Sequence, residues 1–185
     1  MRRLYPEECA VLVIDVQEKL AAAMPAAQLA EVTRATSILL EAAWLLGARA
    51  LVTEQYPSGL GPTIAPVADK LAPLGVTPIA KMTFSACDAS EFERAFAASG
   101  ARRVIAVGIE AHVCVFQTVR ELAARGVDVF VPIDGVASRR DDHRAAGIDL
   151  CRTAGATITT METVVFDWLR GAGTQQFKAL SKLIR

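Results

Sequence analysis

Residues 102–119 read RRVIAVGIEAHVCVFQTV. The first half is a continuous apolar run, Val104 to Ile109, without the alternation of a strand that has one wet face. A strand covered on both faces looks like this, and such strands belong to parallel sheets flanked by helices. The second half changes to a helical pattern that continues to Arg125 before Gly126, a helix stop signal. Strand, short turn and helix therefore follow one another here, with Cys114 in the turn. Free cysteine is often a small apolar filler. At the first turn of a helix it is also a candidate nucleophile, because the positive end of the helix dipole favours the thiolate.

The same alternation extends in both directions. CAVLVID (9–15) reads as a first strand, and the spacing of Leu29, Val32, Thr36, Leu39, Leu40, Ala43 and Leu46 predicts a helix over 26–47 ending at Gly47. Further strands are expected at 48–55, 76–81, 127–133 and 156–160. Between the second and third strands, YPSGLGPT (56–63) reads as a loop. Asp88 or Ser90 is expected to cap the helix that follows, Ser90 and Glu93 having capping-box spacing. Further helices are expected over 139–155, around METVVFDWLR (161–170) and in the tail 174–185. The expected fold is α/β, a three-layer α/β/α sandwich around a six-stranded parallel sheet, in one domain over 1–185.

Composition narrows the function. The 185 residues carry 20 basic and 20 acidic side chains, a formal charge of zero, so no basic field gathers nucleic acid or an anionic membrane. The partner expected is a small-molecule substrate. The amino terminus lacks the apolar stretch and cleavage site of a secretory signal, and no run approaches the ~18 apolar residues of a membrane span, so a cytoplasmic location is expected. Cys9, Cys87, Cys114 and Cys151 are too widely spaced for a disulfide framework or a zinc site, and His112 and His143 are the only histidines. No metal and no cofactor are expected.

In a parallel sheet, chemistry lies outside the carboxyl ends of the strands. That rim receives Asp15 from the first strand, Glu54 and Gln55 from the second, Lys81 from the third and Cys114 after the fourth. Asp15, Lys81 and Cys114 form a coherent nucleophile set: the carboxylate takes the thiol proton, and the ammonium and the helix dipole hold the sulfur as a thiolate. Taken singly, the aspartate is as often a turn former, the lysine a solvated strand end and the cysteine a packing residue. Gln17, Tyr56, Phe84 and His112 are candidate substrate-binding residues around the set. The arginines of SRRDDHR (138–144) read as a solvated helix start.

VLVIDVQEKL (11–20), LVTEQYPSGLGPT (51–63), KMTFSAC (81–87) and VGIEAHVCVFQTV (107–119) together resemble the isochorismatase-like cysteine hydrolases, most of all the isochorismatase domain-containing group, from about Glu8 to Trp168. The resemblance implies Asp15, Lys81 and Cys114 as the catalytic residues. It also implies a cis peptide at Ile109–Glu110 that turns the Glu110 N–H toward that of Cys114 to form an oxyanion hole, and assembly as a homodimer or homotetramer. Isochorismatases that cleave a vinyl ether carry glycine at the position of Cys114, and nicotinamidases of the superfamily bind a metal through histidines that TEQYPSGLGPT lacks. The expected activity is therefore metal-free, cysteine-dependent hydrolysis of a small amide, imide or carbamoyl C–N bond through a thioester. A non-catalytic oligomeric scaffold, with FDWLR and the tail docking on a neighbour, is the alternative. A magnesium phosphatase built on Asp15 ranks low, because Gln17 stands where a second acid is needed.

Overall fold

A computed structural model describes residues 3–185. In chain order the elements are β1 (Cys9–Ile14), α1 (Glu18–Ala21), α2 (Ala26–Leu46), β2 (Arg49–Gln55), α3 (Pro57–Leu60), α4 (Ala65–Leu71), β3 (Ile79–Lys81), α5 (Ser90–Ser99), β4 (Arg103–Ile109), a π-helical turn (Ala111–Val115), α6 (Phe116–Ala124), β5 (Asp128–Pro132), β6 (Val136–Ala137), α7 (Asp141–Thr153), β7 (Thr157–Thr159), α8 (Met161–Leu169) and α9 (Gln175–Ile184).

All strand pairs are parallel, and the order across the sheet is β3-β2-β1-β4-β5-β7, with β6 pairing the end of β4. The sheet thus has seven strands, not the six expected. The extra strand is two residues long, Val136–Ala137, too short to carry any periodicity. Every residue of β1 and β4 is buried, because both faces of these central strands are covered. Val11 and Val13 face a core with α2, α4, α8 and α9, whereas Ala10, Leu12 and Ile14 face one with α5, α6 and α7. These are the three layers that the continuous apolar runs require.

Two expectations need correction. The segment after β2 contains α3 and α4, whose lengths of four and seven residues fall below what periodicity can detect among five prolines and glycines between 57 and 66. Neither Asp88 nor Ser90 caps α5: the chain leaves a 3₁₀ turn at Ala86–Asp88, passes through extended Ala89, and Ser90 already lies inside the helix. The tail packs on its own chain, with Trp168, Leu169 and Leu180 buried and the Arg34 guanidinium donating to the carbonyls of Leu183 and Ile184. Within FDWLR the tryptophan and leucine fill the core beside α2, whereas Phe166 stays exposed.

Strand order reverses between β1 and β4: from β1 the chain proceeds outward to β2 and β3, then crosses back to β4. At such a switch point the connections leave in opposite directions and open a crevice at the carboxyl ends. Asp15 follows β1 and Cys114 follows β4, so the fold brings them to that crevice. Gly108 makes the approach possible. At φ 140° it is a backbone position open to glycine, and a Cβ there would lie 2.0 Å from the Ile14 carbonyl oxygen.

Candidate active site

Asp15 ends β1 in the left-handed region, φ 54°, which aspartate tolerates better than most residues. Its N–H donates to the Thr53 carbonyl at 3.1 Å, and its own carbonyl accepts from the Gln17 N–H at 2.8 Å, so the backbone is pinned on both sides. The carboxylate is fully enclosed. Oδ1 accepts from the Thr53 hydroxyl at 2.7 Å and Oδ2 from the Lys81 ammonium at 2.6 Å.

Lys81 ends β3 but does not reach water; its side chain is 0 % exposed. Nζ faces four acceptors: Asp15 Oδ2 at 2.6 Å, Gln55 Oε1 at 2.7 Å, the Phe84 carbonyl at 3.1 Å and the Thr83 carbonyl at 3.2 Å. An ammonium has three hydrogens. A buried ion pair survives only when its remaining hydrogen-bonding capacity is met, and here it is. Lys81 therefore has no hydrogen left to donate to a substrate oxygen.

Cys114 lies in the π-helical turn, a rare form frequently found at functional sites. Burial pushes its thiol up to about 12; the negative charge of Asp15 adds to the rise, and the Lys81 charge opposes it. The resting group is a thiol. Enclosure and the adjacent carboxylate thus act against the expected thiolate, and the ammonium, whose hydrogens point elsewhere, acts for it only through its charge.

The peptide between Ile109 and Glu110 is cis. In the turn that follows, the Glu110 carbonyl accepts from the N–H groups of Val113 (3.0 Å) and Val115 (3.3 Å). Among the described residues the Glu110 N–H meets no acceptor, and the Cys114 N–H meets none outside its own helical turn. The Glu110 carboxylate is anchored by Arg139, whose backbone N–H (3.1 Å) and Nε (3.0 Å) both donate to Oε2. Arg139 thus holds the turn, and Arg144 donates to the Val136 and Ile133 carbonyls, so of this arginine run only Arg140, paired with Asp142, is the solvated helix start expected.

A model of the Isochorismatase domain family matches residues 9–163. The chain belongs to the isochorismatase family. It is 37% identical over 187 residues to the secreted isochorismatase effector Isc1 of Phytophthora sojae, covering 99% of this chain and 87% of that protein. To the human isochorismatase domain-containing protein 2 it is 32% identical over 183 residues, 99% of this chain and 86% of that protein. Among solved structures, the MAR1 ribonuclease of Caenorhabditis elegans superposes with a TM-score of 0.90 at 36% identity, over 99% of this chain and 92% of that one. The octameric hydrolase YcaC of Escherichia coli shares the fold, with a TM-score of 0.87 at 23% identity, over 98% of this chain and 90% of that one. Membership of a family that includes cysteine hydrolases supports a hydrolase.

Within this isochorismatase-family site, the structure distributes the four candidate substrate residues unevenly. Gln17 is fully buried: Nε2 donates to the Gln55 (3.0 Å) and Gly61 (2.7 Å) carbonyls, and Oε1 accepts from the Gln55 N–H at 2.7 Å. It ties the loop after β2 to the end of β1 and has no free amide hydrogen. Tyr56 and Phe84 are exposed on the rim, 48% and 55% respectively, next to Met82 at 71%. Tyr56 folds its ring over Gly59, where a Cβ would meet the ring at 2.0 Å. His112 points away from a Cys–His pairing: Nδ1 bonds the Ser138 hydroxyl at 3.1 Å and the ring sits 4.6 Å from that of His143. Burial holds His112 below its usual range, with Glu110 opposing and His143 and Arg139 assisting.

Sequence reasoning missed Thr53 and passed over Gln55, which complete the shells of Asp15 and Lys81. The register could have found them, since Ile14 pairs with Thr53 and Gln55 with Lys81. No group of three or more His, Cys, Asp or Glu side chains suited to a metal occurs among the described residues. No described helix is long and apolar enough to cross a membrane.

Proposed function

We propose that this chain is a cysteine-dependent hydrolase of a small amide, imide or carbamoyl C–N bond, working without metal or cofactor. The observation that supports the reading is the enclosure of the Cys114 thiol at the strand-end crevice that also receives the Asp15 carboxylate, itself locked by Lys81 and Thr53. As sulfur attacks the carbonyl carbon, Asp15 takes the thiol proton. The oxygen gathers negative charge, which the Glu110 and Cys114 N–H groups receive. Asp15 returns the proton to the departing nitrogen, the C–N bond breaks, and a thioester on Cys114 remains. A water then gives its proton to Asp15 and attacks the thioester; the acid leaves and the proton returns to sulfur. Lys81 keeps Asp15 in place and compensates its charge throughout, with Gln55 holding the ammonium.

Tyr56, Phe84 and His112 border the substrate, Gln17 supports the loop behind them, and the catalytic unit is a cytoplasmic homodimer or homotetramer of one-domain chains. The test is a panel of amides, ureides and carbamates offered to the wild type and to Cys114→Ala. Turnover of a panel member by the wild type alone is expected, and equal turnover by the variant would contradict the reading.

The likeness to the C. elegans MAR1 ribonuclease favours a second reading, cleavage of RNA. The balanced charge of 20 basic and 20 acidic side chains gives little attraction for a phosphate backbone. Including RNA in the panel separates the two, since only the amide reading requires Cys114 to become acylated.

A further inference from the structure

Thr118 belongs to neither the acid–base pair nor the N–H donors, yet its hydroxyl joins the two halves of the site. It is fully buried on α6, one turn after the nucleophile. The hydroxyl donates to the Cys114 carbonyl at 2.7 Å and accepts from the Ala86 N–H at 3.0 Å. Ala86 ends the loop whose Thr83 and Phe84 carbonyls take hydrogens from Lys81. That loop is secured twice more on α6, by the Ser85 hydroxyl donating to Glu121 at 2.9 Å and by the Cys87 thiol facing the Thr118 carbonyl at 4.0 Å.

A threonine that bonds the carbonyl four residues back is common in helices and often only bends them. Here the carbonyl belongs to the nucleophile itself, where π-helical bonding gives way to α-helical bonding. The hydroxyl accepts a bond from the opposite side at the same time. We infer that Thr118 is a positioning residue for the hydrolysis: its hydroxyl fixes the Cys114 backbone against the loop that holds Lys81, and so sets where the sulfur stands relative to the Asp15 carboxylate. This rests on Cys114 being the nucleophile. Because the reacting atoms must meet within a few tenths of an ångström, a bond that locates the backbone of one against the support of the other acts on turnover more than on substrate binding.

The experiment compares Thr118→Val, which keeps the shape and removes the hydroxyl, with Thr118→Ser, which keeps the hydroxyl and removes a methyl. Each is measured beside Cys114→Ala on the amide that the panel identifies, with thermal unfolding recorded for all. Thr118→Val is expected to lose about 100-fold in kcat with KM nearly unchanged while still folded at the assay temperature, and Thr118→Ser to keep most of the turnover. A folded Thr118→Val with wild-type kcat, or a Thr118→Ser as impaired as Thr118→Val, overturns the inference. If Thr118→Val does not fold, Ala86→Pro removes the N–H that the hydroxyl accepts, at the first position of a 3₁₀ turn preceded by an extended residue, where proline fits; it is then expected to lower kcat and not KM, and an unchanged kcat overturns the inference. Persisting turnover in Cys114→Ala would instead remove the reading of the nucleophile, whatever Thr118 does.

Discussion

The Lys81 ammonium lies 2.6 Å from the Asp15 carboxylate, both side chains fully enclosed, and every hydrogen it carries is engaged by an oxygen. In the proposed mechanism its task is therefore to hold and neutralise Asp15, not to touch the substrate. Lys81→Met leaves a buried carboxylate unpaired and is expected to destabilise the fold by about 3–5 kcal/mol. Pairing it with Asp15→Asn removes the orphaned charge, so the double variant should be more stable than Lys81→Met alone. Urea unfolding midpoints of the four proteins check this, and simple additivity would contradict it.

Asp15 raises the Cys114 thiol through its negative charge. Asp15→Asn retains a side chain that accepts the left-handed backbone of this position. It should make Cys114 react faster with iodoacetamide at pH 8 while reducing turnover by about 10²–10⁴-fold, because the general base is gone. Slower alkylation in that variant would refute the account of the thiol.

In the wild type the thiol pushed up to about 12 predicts no alkylation plateau near neutrality. The rate at Cys114 should climb about tenfold per pH unit from pH 7 to pH 10, following the thiolate fraction. Peptide mass spectrometry separates Cys114 from the other three thiols. A plateau beginning near pH 7 would restore the preformed thiolate.

All four cysteines are held above their ordinary value of 9.0, Cys9 and Cys87 at about 11, Cys114 and Cys151 at about 12, in each case chiefly through burial. The folded chain keeps these protons where the unfolded chain releases them. Stability from this source is present below pH 9 and is lost as pH rises through the folded values. Urea midpoints at pH 8, 9 and 10 should fall progressively above pH 9, and a rise over that range would be inconsistent with buried neutral thiols.

Helix α7 touches the turn that carries Cys114 through Gly147, where a Cβ would lie 2.5 Å from the Ala111 carbonyl carbon and 2.6 Å from the His112 nitrogen. Both neighbours are backbone and cannot rotate aside. Gly147→Ala is expected to lower stability by about 1–3 kcal/mol and to reduce kcat by shifting the turn. Unchanged thermal unfolding and unchanged kcat together would show that the helix is not a support of the site.

The central strands were legible because a parallel strand covered on both faces needs an unbroken apolar run, as in CAVLVI and VIAVGI. Asp15, Lys81 and Cys114 were legible as strand-end residues, since the carboxyl edge of such a sheet is a single rim. What each does there was less so. The engagement of the Lys81 hydrogens depends on Gln55, Thr83 and Phe84, and the bonds of Gln17 on Gln55 and Gly61, pairings that no local pattern encodes. The protonated state of Cys114 follows from enclosure, which sequence does not give by itself. β6, α3 and α4 are too short to impose a period, and the π-helical turn differs from an α-helical one in hydrogen bonding alone.

The most direct measurement is intact-protein mass spectrometry of the wild type quenched while it turns over the amide identified by the panel. A thioester is predicted, seen as an added mass equal to the acyl group, mapped to Cys114 and removed by hydroxylamine, and absent from Cys114→Ala. Turnover with no acyl mass on Cys114, together with undiminished hydrolysis by Cys114→Ala, would contradict the account.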